Sequence, residues 1–359
     1  MQERREAVVA DGLIYVSGLA GTGADGKPAG PDVSAQARRA LERLSQVLEA
    51  AGSSLAQAVN VNVYLARAQD FDAMNTVYRE FFADKPPART TVAVDLPGGE
   101  LVEISAVAVP NGAPRETLLP AGWMKSPRPY SYIVRAGDLV FLSGLVSRRG
   151  TDDQVVVGPV RLQMTTILDN ARTLLKTAGL TLADVVSARV FVTDDSFFEE
   201  MNAVYASHFA SEPPARATAV TGLMGPDAKV EISLIASVGP KEAIGPLLSP
   251  TLPVSTAIRA GRRLFLAGVL GNTDENVDDA AAQTRETLTR IGRTLESAGL
   301  SFADVVDSTV YLPDLMQFTK INDAYREFFP KQPPARTAVG ARLIARRALV
   351  EMMLTAVGR

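Results

Sequence analysis

One pattern that occurs three times constrains the fold of this chain more than any other feature. It begins with Asn-x-x-Tyr, continues with Pro-Pro-Ala-Arg and closes with Val-Glu, whose glutamate lies 14 or 15 positions after the arginine. The arginines are 127 and 120 positions apart, which matches the size of a small domain and is too long for a solenoid unit. The chain is therefore predicted to contain three copies of one fold, with chemistry based on Asn, Arg and Glu. The recurring residues are Asn75, Tyr78, Arg89 and Glu103, then Asn202, Tyr205, Arg216 and Glu231, then Asn322, Tyr325, Arg336 and Glu351.

Composition narrows the classes of function. The 359 residues carry a formal net charge of −3 and no long basic run, so we expect no nucleic-acid partner. No apolar stretch is long enough to span a bilayer, and Met1 to Glu6 lacks the apolar core of a signal peptide. The chain has no cysteine and a single histidine, His208, which excludes thiolate chemistry and disfavours triads and metal sites. We expect a cytoplasmic protein without a membrane partner.

Each copy shows the same order of predicted elements. An apolar strand ends in Ser-Gly or Ala-Gly, and an amphipathic helix, a strand with alternating polarity and the Asn-x-x-Tyr helix follow. Two final strands come after Pro-Pro, because proline cannot continue a helix. This order predicts an α+β unit with two helices on one face of a sheet. The predicted repeats span residues 1–112, 129–239 and 254–359, with Pro-rich linkers at 113–128 and 240–253.

These motifs resemble the YjgF/RidA family, the 2-iminoacid deaminases. The resemblance covers nearly the whole chain three times, and its most specific parts are the Asn-x-x-Tyr helix, Pro-Ala-Arg and the glutamate of the final strand. Family members usually form homotrimers of a chorismate-mutase-like fold, with a ligand cleft at each subunit boundary. The resemblance therefore implies three chorismate-mutase-like repeats, each a mixed sheet with two helices on one face, arranged as a pseudo-trimer in a monomeric chain.

The resemblance also implies hydrolysis of a reactive imine or enamine of an amino acid to a 2-keto acid and ammonia. Arginine suits a carboxylate because the guanidinium makes two parallel charge-assisted hydrogen bonds, and glutamate can orient water and move its proton. No cofactor or metal is implied, since the iminium carbon is already electrophilic. The implied catalytic residues are Glu103, Glu231 and Glu351. The implied binding residues are Arg89, Arg216 and Arg336, the N–H groups of Gly18, Gly144 and Gly268, and Asn75, Asn202, Asn322, Ser17, Ser143 and Tyr130.

Other readings of these residues stay open. Each Arg–Glu pair could be a structural ion pair at a domain boundary, and each asparagine could equally bond a neighbouring loop. A second function is that of a protein that binds a small carboxylate without turning it over, or of a pathway-specific accessory protein on the same fold. A third is the ribonuclease activity sometimes attributed to the family, which the net negative charge of the chain disfavours.

The copies depart from the family pattern in different ways. The family's cleft tyrosine occurs only as Tyr130, with Arg4 and Val254 at the same offset, and its serine is replaced by Ala267 in the third copy. The sequence therefore predicts unequal clefts and leaves open whether one copy's tyrosine serves another copy's arginine. The cysteine often found two positions after the arginine is Thr91, Thr218 or Ala338. The best-equipped cleft is predicted from copy two, with Arg216, Glu231, Asn202, Ser143, Gly144 and Tyr130.

Overall fold

The computed structural model describes residues 5–23, 25–209, 211–249 and 252–358. Each copy, numbered repeat 1 to repeat 3 in chain order, holds two α-helices and a mixed sheet, which confirms the predicted fold class. Repeat 1 contains β1 (Ala7–Ala10), β2 (Leu13–Ala20), α1 (Val33–Ala50), β3 (Ala58–Leu65), α2 (Phe71–Phe81), β4 (Ala88–Ala93) and β5 (Val102–Ala108). Repeat 2 contains β6 (Arg115–Leu118), β7 (Ile133–Ala136), β8 (Leu139–Leu142), α3 (Val160–Thr177), β9 (Val185–Val192), α4 (Phe198–His208), β10 (Ala215–Val220), β11 (Gly222–Leu223) and β12 (Val230–Ser237). Repeat 3 contains β13 (Lys241–Ser249), β14 (Leu252–Ala260), β15 (Arg263–Leu266), β16 (Val269–Leu270), α5 (Ala280–Ser297), β17 (Val305–Leu312), α6 (Phe318–Phe328), β18 (Ala335–Gly340), β19 (Arg342–Leu343) and β20 (Glu351–Val357).

Helix α1 illustrates how the sequence sets these elements. The Asp32 side chain caps its first turn by accepting a hydrogen bond of 2.9 Å from the Ala35 N–H. Leu41 and Leu48 are fully buried, as their helical spacing predicts. The helix ends before Gly52, whose φ of +78° disfavours a residue with a Cβ. Within the described ranges, no helix is both long enough and apolar enough to cross a membrane.

The sheet of repeat 1 has two faces with different partners. Its strand order is β1-β2-β5-β3-β4, with β3 and β4 parallel and the other neighbours antiparallel. Val61 and Val63 point to the face that packs against α1 and α2. Val59 and Tyr64 lie in clusters that include residues of the other repeats. The helices therefore cover one face and leave the other face to the neighbouring repeats.

Each repeat contacts both of the others. Tyr64, Phe191 and Tyr311, which occupy equivalent positions in the three repeats, lie in one shared apolar cluster. Strand β11 of repeat 2 pairs with β4 of repeat 1, and β19 of repeat 3 pairs with β10 of repeat 2. Asp95 of repeat 1 forms a backbone bridge with Gly340 of repeat 3. The pairing contacts therefore run from repeat 2 to 1, from 3 to 2 and from 1 to 3.

A buried arginine also joins all three repeats. Arg263 of repeat 3 makes ion pairs of 2.9 Å with Asp11 of repeat 1 and 2.8 Å with Asp138 of repeat 2. The corresponding positions of repeats 1 and 2 are Leu13 and Leu139. This contact requires that the repeats differ in sequence at this position. Three identical subunits would instead place three copies of the same residue at equivalent positions.

The segments predicted as linkers contribute strands. Strand β6 lies within 113–128 and pairs with β7, and β13 lies within 240–253 and pairs with β14. Both segments therefore extend a sheet and run past a boundary between repeats, where they can form part of a site.

Candidate functional site

The predicted site residues gather in three clefts at the boundaries between repeats. The Arg89 cleft joins Arg89 of repeat 1 to Glu231, Gly144 and Tyr130 of repeat 2. The Arg216 cleft joins Arg216 of repeat 2 to Glu351 and Gly268 of repeat 3. The Arg336 cleft joins Arg336 of repeat 3 to Glu103 and Ser17 of repeat 1. Each cleft thus takes its arginine from one repeat and its glutamate from another.

The predicted grouping of Arg216 with Glu231 and Tyr130 is wrong. Tyr130 lies over Arg89, with 5.8 Å between its ring centroid and the guanidinium carbon, and Glu231 lines the same cleft. The reason is a backbone contact across the boundary, in which the Gly144 N–H donates to the Arg89 carbonyl over 3.0 Å. The Gly268 N–H donates likewise to the Arg216 carbonyl over 3.0 Å. These two N–H groups are engaged with the neighbouring strand, which does not fit their expected role of bonding a substrate carboxylate.

Each arginine is held against the second helix of its own repeat. The guanidinium carbons lie 4.7, 4.4 and 4.6 Å from the ring centroids of the Asn-x-x-Tyr tyrosines Tyr78, Tyr205 and Tyr325. Arg216 Nη2 donates to Asn202 Oδ1 over 2.9 Å, and Arg336 Nη2 donates to Asn322 Oδ1 over 2.8 Å. Two of the three asparagines therefore orient an arginine. In repeat 1, the Oδ1 of Asn75 is buried without a hydrogen-bond partner.

Two of the arginines present a buried donor without a partner. The Nη1 atoms of Arg89 and Arg216 are buried and make no hydrogen bond, although both residues line a cleft. Burial lowers the pKa of both guanidinium groups, which nevertheless remain cationic at neutral pH. A buried cationic donor without an acceptor is costly, and an anionic ligand would satisfy it.

The glutamates of these two clefts are buried and have raised pKa values. Burial raises the pKa of Glu231 to about 8, against the opposing effects of the Thr91 N–H and the Arg89 charge. Burial raises the pKa of Glu351 to about 7, with the Thr218 N–H and Arg216 opposing it. No N–O distance within 4.0 Å pairs these arginines with these glutamates among the described residues, so the ion-pair reading does not fit the two clefts.

The glycine after the early strand is required by the glutamate. A Cβ at Gly144 would overlap Glu231 Oε1, and a Cβ at Gly268 would overlap Glu351 Oε1. Gly18 and Glu103 are related in the same way. The glutamate side chain therefore lies across the glycine Cα, a contact that the sequence motif did not reveal.

The serines bridge the repeats. The Ser143 hydroxyl donates to the Ser131 carbonyl over 2.8 Å and accepts from the Arg89 N–H over 2.8 Å. Ser17 is arranged alike, accepting from the Arg336 N–H over 2.9 Å while donating to a carbonyl of its own repeat. Both serines are almost fully buried and their single proton is already donated. They fix the strand that carries the arginine, rather than contacting a ligand as predicted.

Sequence reasoning missed the outer walls of the clefts. Arg128 and Arg148 line the Arg89 cleft, and Leu252 and Ile344 line the Arg216 cleft. Arg128 and Leu252 belong to the segments predicted as linkers, which carry no motif. No group of three or more His, Cys, Asp or Glu side chains suited to a metal occurs in the described part of the chain.

Comparison with known proteins gives the same three units. The family model described as Endoribonuclease L-PSP matches residues 4–110, 123–238 and 247–358. A RutC family protein of Sulfurisphaera tokodaii is 36% identical over 118 residues, which are 32% of this chain and 94% of that protein. The 3-aminoacrylate deaminase RutC of Acinetobacter baylyi is 34% identical over 125 residues, which are 35% of this chain and 99% of that protein. Each relative thus corresponds to one repeat.

A solved structure spans all three repeats. A chorismatase crystal structure aligns with 84% of this chain and 93% of its own, with a TM-score of 0.57 and 13% sequence identity. At that identity the similarity shows the fold alone. The three matches of one family model, which cover most of the sequence, show that the chain belongs to the Endoribonuclease L-PSP family, also known as YjgF/RidA, as three tandem copies.

Proposed function

We propose that the chain hydrolyses reactive 2-imino and enamine acids to 2-keto acids and ammonia in the clefts between its repeats. The observation that carries the proposal is the pairing, in one cleft, of a buried arginine donor without a partner and a buried glutamate with a pKa near neutrality. Arg89 with Glu231 and Arg216 with Glu351 both have this arrangement. The arginine offers a site for the substrate carboxylate, and the glutamate offers an acid and a base beside it.

The raised pKa of the glutamate suits both proton transfers of the reaction. In the protonated form, Glu231 can donate its proton to the enamine carbon, which leaves an iminium and a carboxylate. That carboxylate can then accept a proton from the water that attacks the iminium carbon. Collapse of the tetrahedral adduct releases ammonia and the keto acid and consumes one water. A pKa of about 8 keeps both forms populated near neutral pH, where general acid–base catalysis is most effective.

The relatives support this class of reaction. The Acinetobacter baylyi protein named 3-aminoacrylate deaminase RutC matches one repeat over 99% of its length. Its name describes deamination of an enamine acid, which is the chemistry that the Arg–Glu arrangement accommodates without a cofactor.

The test follows hydrolysis of an imine made in place by an amino-acid oxidase. Semicarbazide traps imine that has not been hydrolysed, so an active protein lowers the yield of semicarbazone and raises the rate of ammonia release. We expect the triple variant Arg89→Ala, Arg216→Ala, Arg336→Ala to lose this activity, since each substitution removes about 3–5 kcal/mol of carboxylate binding. Arginine-to-lysine variants should fail as well, because an ammonium cannot form the bidentate contact.

A matched control removes three surface arginines, each paired with a glutamate of the second helix in its repeat. These are Arg38, Arg161 and Arg285. If the triple variant Arg89→Ala, Arg216→Ala, Arg336→Ala folds and keeps its activity, the proposal is refuted. Saturable binding of a keto acid by wild type without any acceleration of imine hydrolysis would instead favour a binding protein.

A further inference from the structure

The clefts differ most in the outer wall that the incoming chain segment provides. Arg128 and Tyr130 line the Arg89 cleft, 15 and 13 positions before Ser143. The residues at the same offsets before Ala267 are Leu252 and Val254, and both line the Arg216 cleft. An arginine and a tyrosine in one cleft therefore correspond to two aliphatic residues in the other.

The Arg89 cleft is small and carries an excess of positive charge. Its cavity has a volume of about 110 Å³. Arg128 Nη1 and Arg148 Nη1 lie 3.1 and 3.0 Å from the same oxygen, Asp153 Oδ2. Asp227 also lines the cleft, so three guanidinium groups face the carboxylates of Asp153 and Asp227, and one positive charge remains in excess while Glu231 is protonated. Arg128 is close enough to Arg89 for its charge to contribute to the lowered pKa of Arg89.

The Arg216 cleft is larger and mainly apolar. Its cavity has a volume of about 430 Å³. Arg290, which also lines it, lies 2.7 Å from Glu286 and donates to the Leu270 carbonyl, so its charge is balanced within the protein. The aliphatic wall is formed by Leu248, Leu252, Val254, Leu270 and Ile344.

We propose that these two clefts divide the substrates. The Arg89 cleft takes imino acids whose side chain ends in a second carboxylate, and the Arg216 cleft takes imino acids with a bulky aliphatic side chain. This inference rests on the proposed function. In both clefts the motif arginine holds the 2-carboxylate, while Arg128 and Arg148 or the aliphatic wall receive the side chain. Three identical subunits would have three identical clefts, whereas one chain allows each cleft to have its own wall.

Turnover of two imines tests the division. One is generated from glutamate and the other from leucine, each by a suitable amino-acid oxidase, and all variants carry Glu103→Gln to silence the Arg336 cleft. We expect Glu231→Gln to reduce hydrolysis of the glutamate-derived imine at least about tenfold and to leave the leucine-derived imine within twofold. Glu351→Gln should have the opposite effect. Equal losses for both imines in both variants would overturn the division.

Binding of the product keto acids tests the division independently of catalysis. Calorimetry would compare 2-oxoglutarate and 4-methyl-2-oxopentanoate with wild type, Arg128→Leu and Leu252→Arg. Arg128→Leu removes a charged contact and should weaken the binding of 2-oxoglutarate by about tenfold or more. Leu252→Arg places a charge in the aliphatic wall and should weaken the binding of 4-methyl-2-oxopentanoate by a similar factor. Each variant should leave the other ligand within twofold.

The turnover and binding experiments distinguish failure of the proposed hydrolysis from failure of the division of substrates between the clefts. Unchanged affinity for 2-oxoglutarate in Arg128→Leu, together with unchanged affinity for the aliphatic acid in Leu252→Arg, would overturn the division of substrates. If wild type accelerates hydrolysis of neither imine while the keto acids bind as expected, the proposed function fails and the division of the clefts by ligand stands.

Discussion

Replacing Glu231 by glutamine should stabilise the protein at alkaline pH and should lower its hydrolysis of imines. The pKa of Glu231 is about 8 in the folded protein and about 4.5 in the unfolded chain. Between these values the folded state binds more protons, so the free energy of unfolding of wild type falls as pH rises from about 4.5 to about 8. The stabilisation by the protonated carboxyl is complete below pH 4.5 and lost above pH 8. A glutamine of the same shape does not titrate, and its side-chain oxygen can still accept from the Thr91 N–H.

The expected gain is large because Glu231 is almost fully buried. The difference between a pKa of 4.5 and one of about 8 corresponds to a free energy on the order of 5 kcal/mol. Urea unfolding of wild type and Glu231→Gln at pH 5, 7 and 9 measures this difference. The variant should gain little at pH 5 and most at pH 9, while its hydrolysis of imine falls. Glu296→Gln, at an exposed position of α5, is the matched control. A pH-independent difference between Glu231→Gln and wild type would refute a buried carboxyl that titrates near neutrality.

Three further predictions concern the cleft and the assembly. Gly144→Ala should destabilise the protein by about 1–3 kcal/mol and silence the Arg89 cleft, because a Cβ there would displace Glu231; unfolding and imine hydrolysis measure both effects. Ser143→Ala leaves the buried Arg89 N–H without an acceptor, so we expect a loss of about 1–3 kcal/mol in the free energy of unfolding without a selective rise in KM. Because the contacts among the repeats already form a closed ring, light scattering should give the mass of one chain, 38.2 kDa. A mass of three chains would contradict this last prediction.

Most of the fold follows from the sequence because its signals are local. The helical spacing of Leu41 and Leu48, Gly52 at a positive φ and the two prolines before each arginine all act within a few residues of their own element. The repeat then assigns the same elements to all three copies. For this reason the α+β order, the two helices on one face and the three copies could be predicted.

The composition of the clefts could not be predicted in the same way. Periodicity shows which residues are equivalent, such as Arg89 and Arg216, but it does not show which copy lies beside which. That depends on the β11–β4 and β19–β10 pairings and on backbone bonds such as Gly144 to Arg89, none of which has a side-chain signature. The role of Ser143 was missed for the same reason, since its partners are main-chain groups of two different segments.

The measurement that tests the central claim most directly compares two double variants. Each combines one arginine-to-alanine with one glutamate-to-glutamine substitution. Arg89→Ala with Glu231→Gln alters one cleft, whereas Arg89→Ala with Glu103→Gln alters two clefts, although the second pair lies within one repeat. Hydrolysis of a small imine generated from alanine would be compared with that of Arg89→Ala alone. If each cleft combines the arginine of one repeat with the glutamate of another, the Glu231 double variant should match the single variant and the Glu103 double variant should be less active. The reverse order, with the Glu103 double variant equal to Arg89→Ala, would contradict sites built across the repeat boundaries.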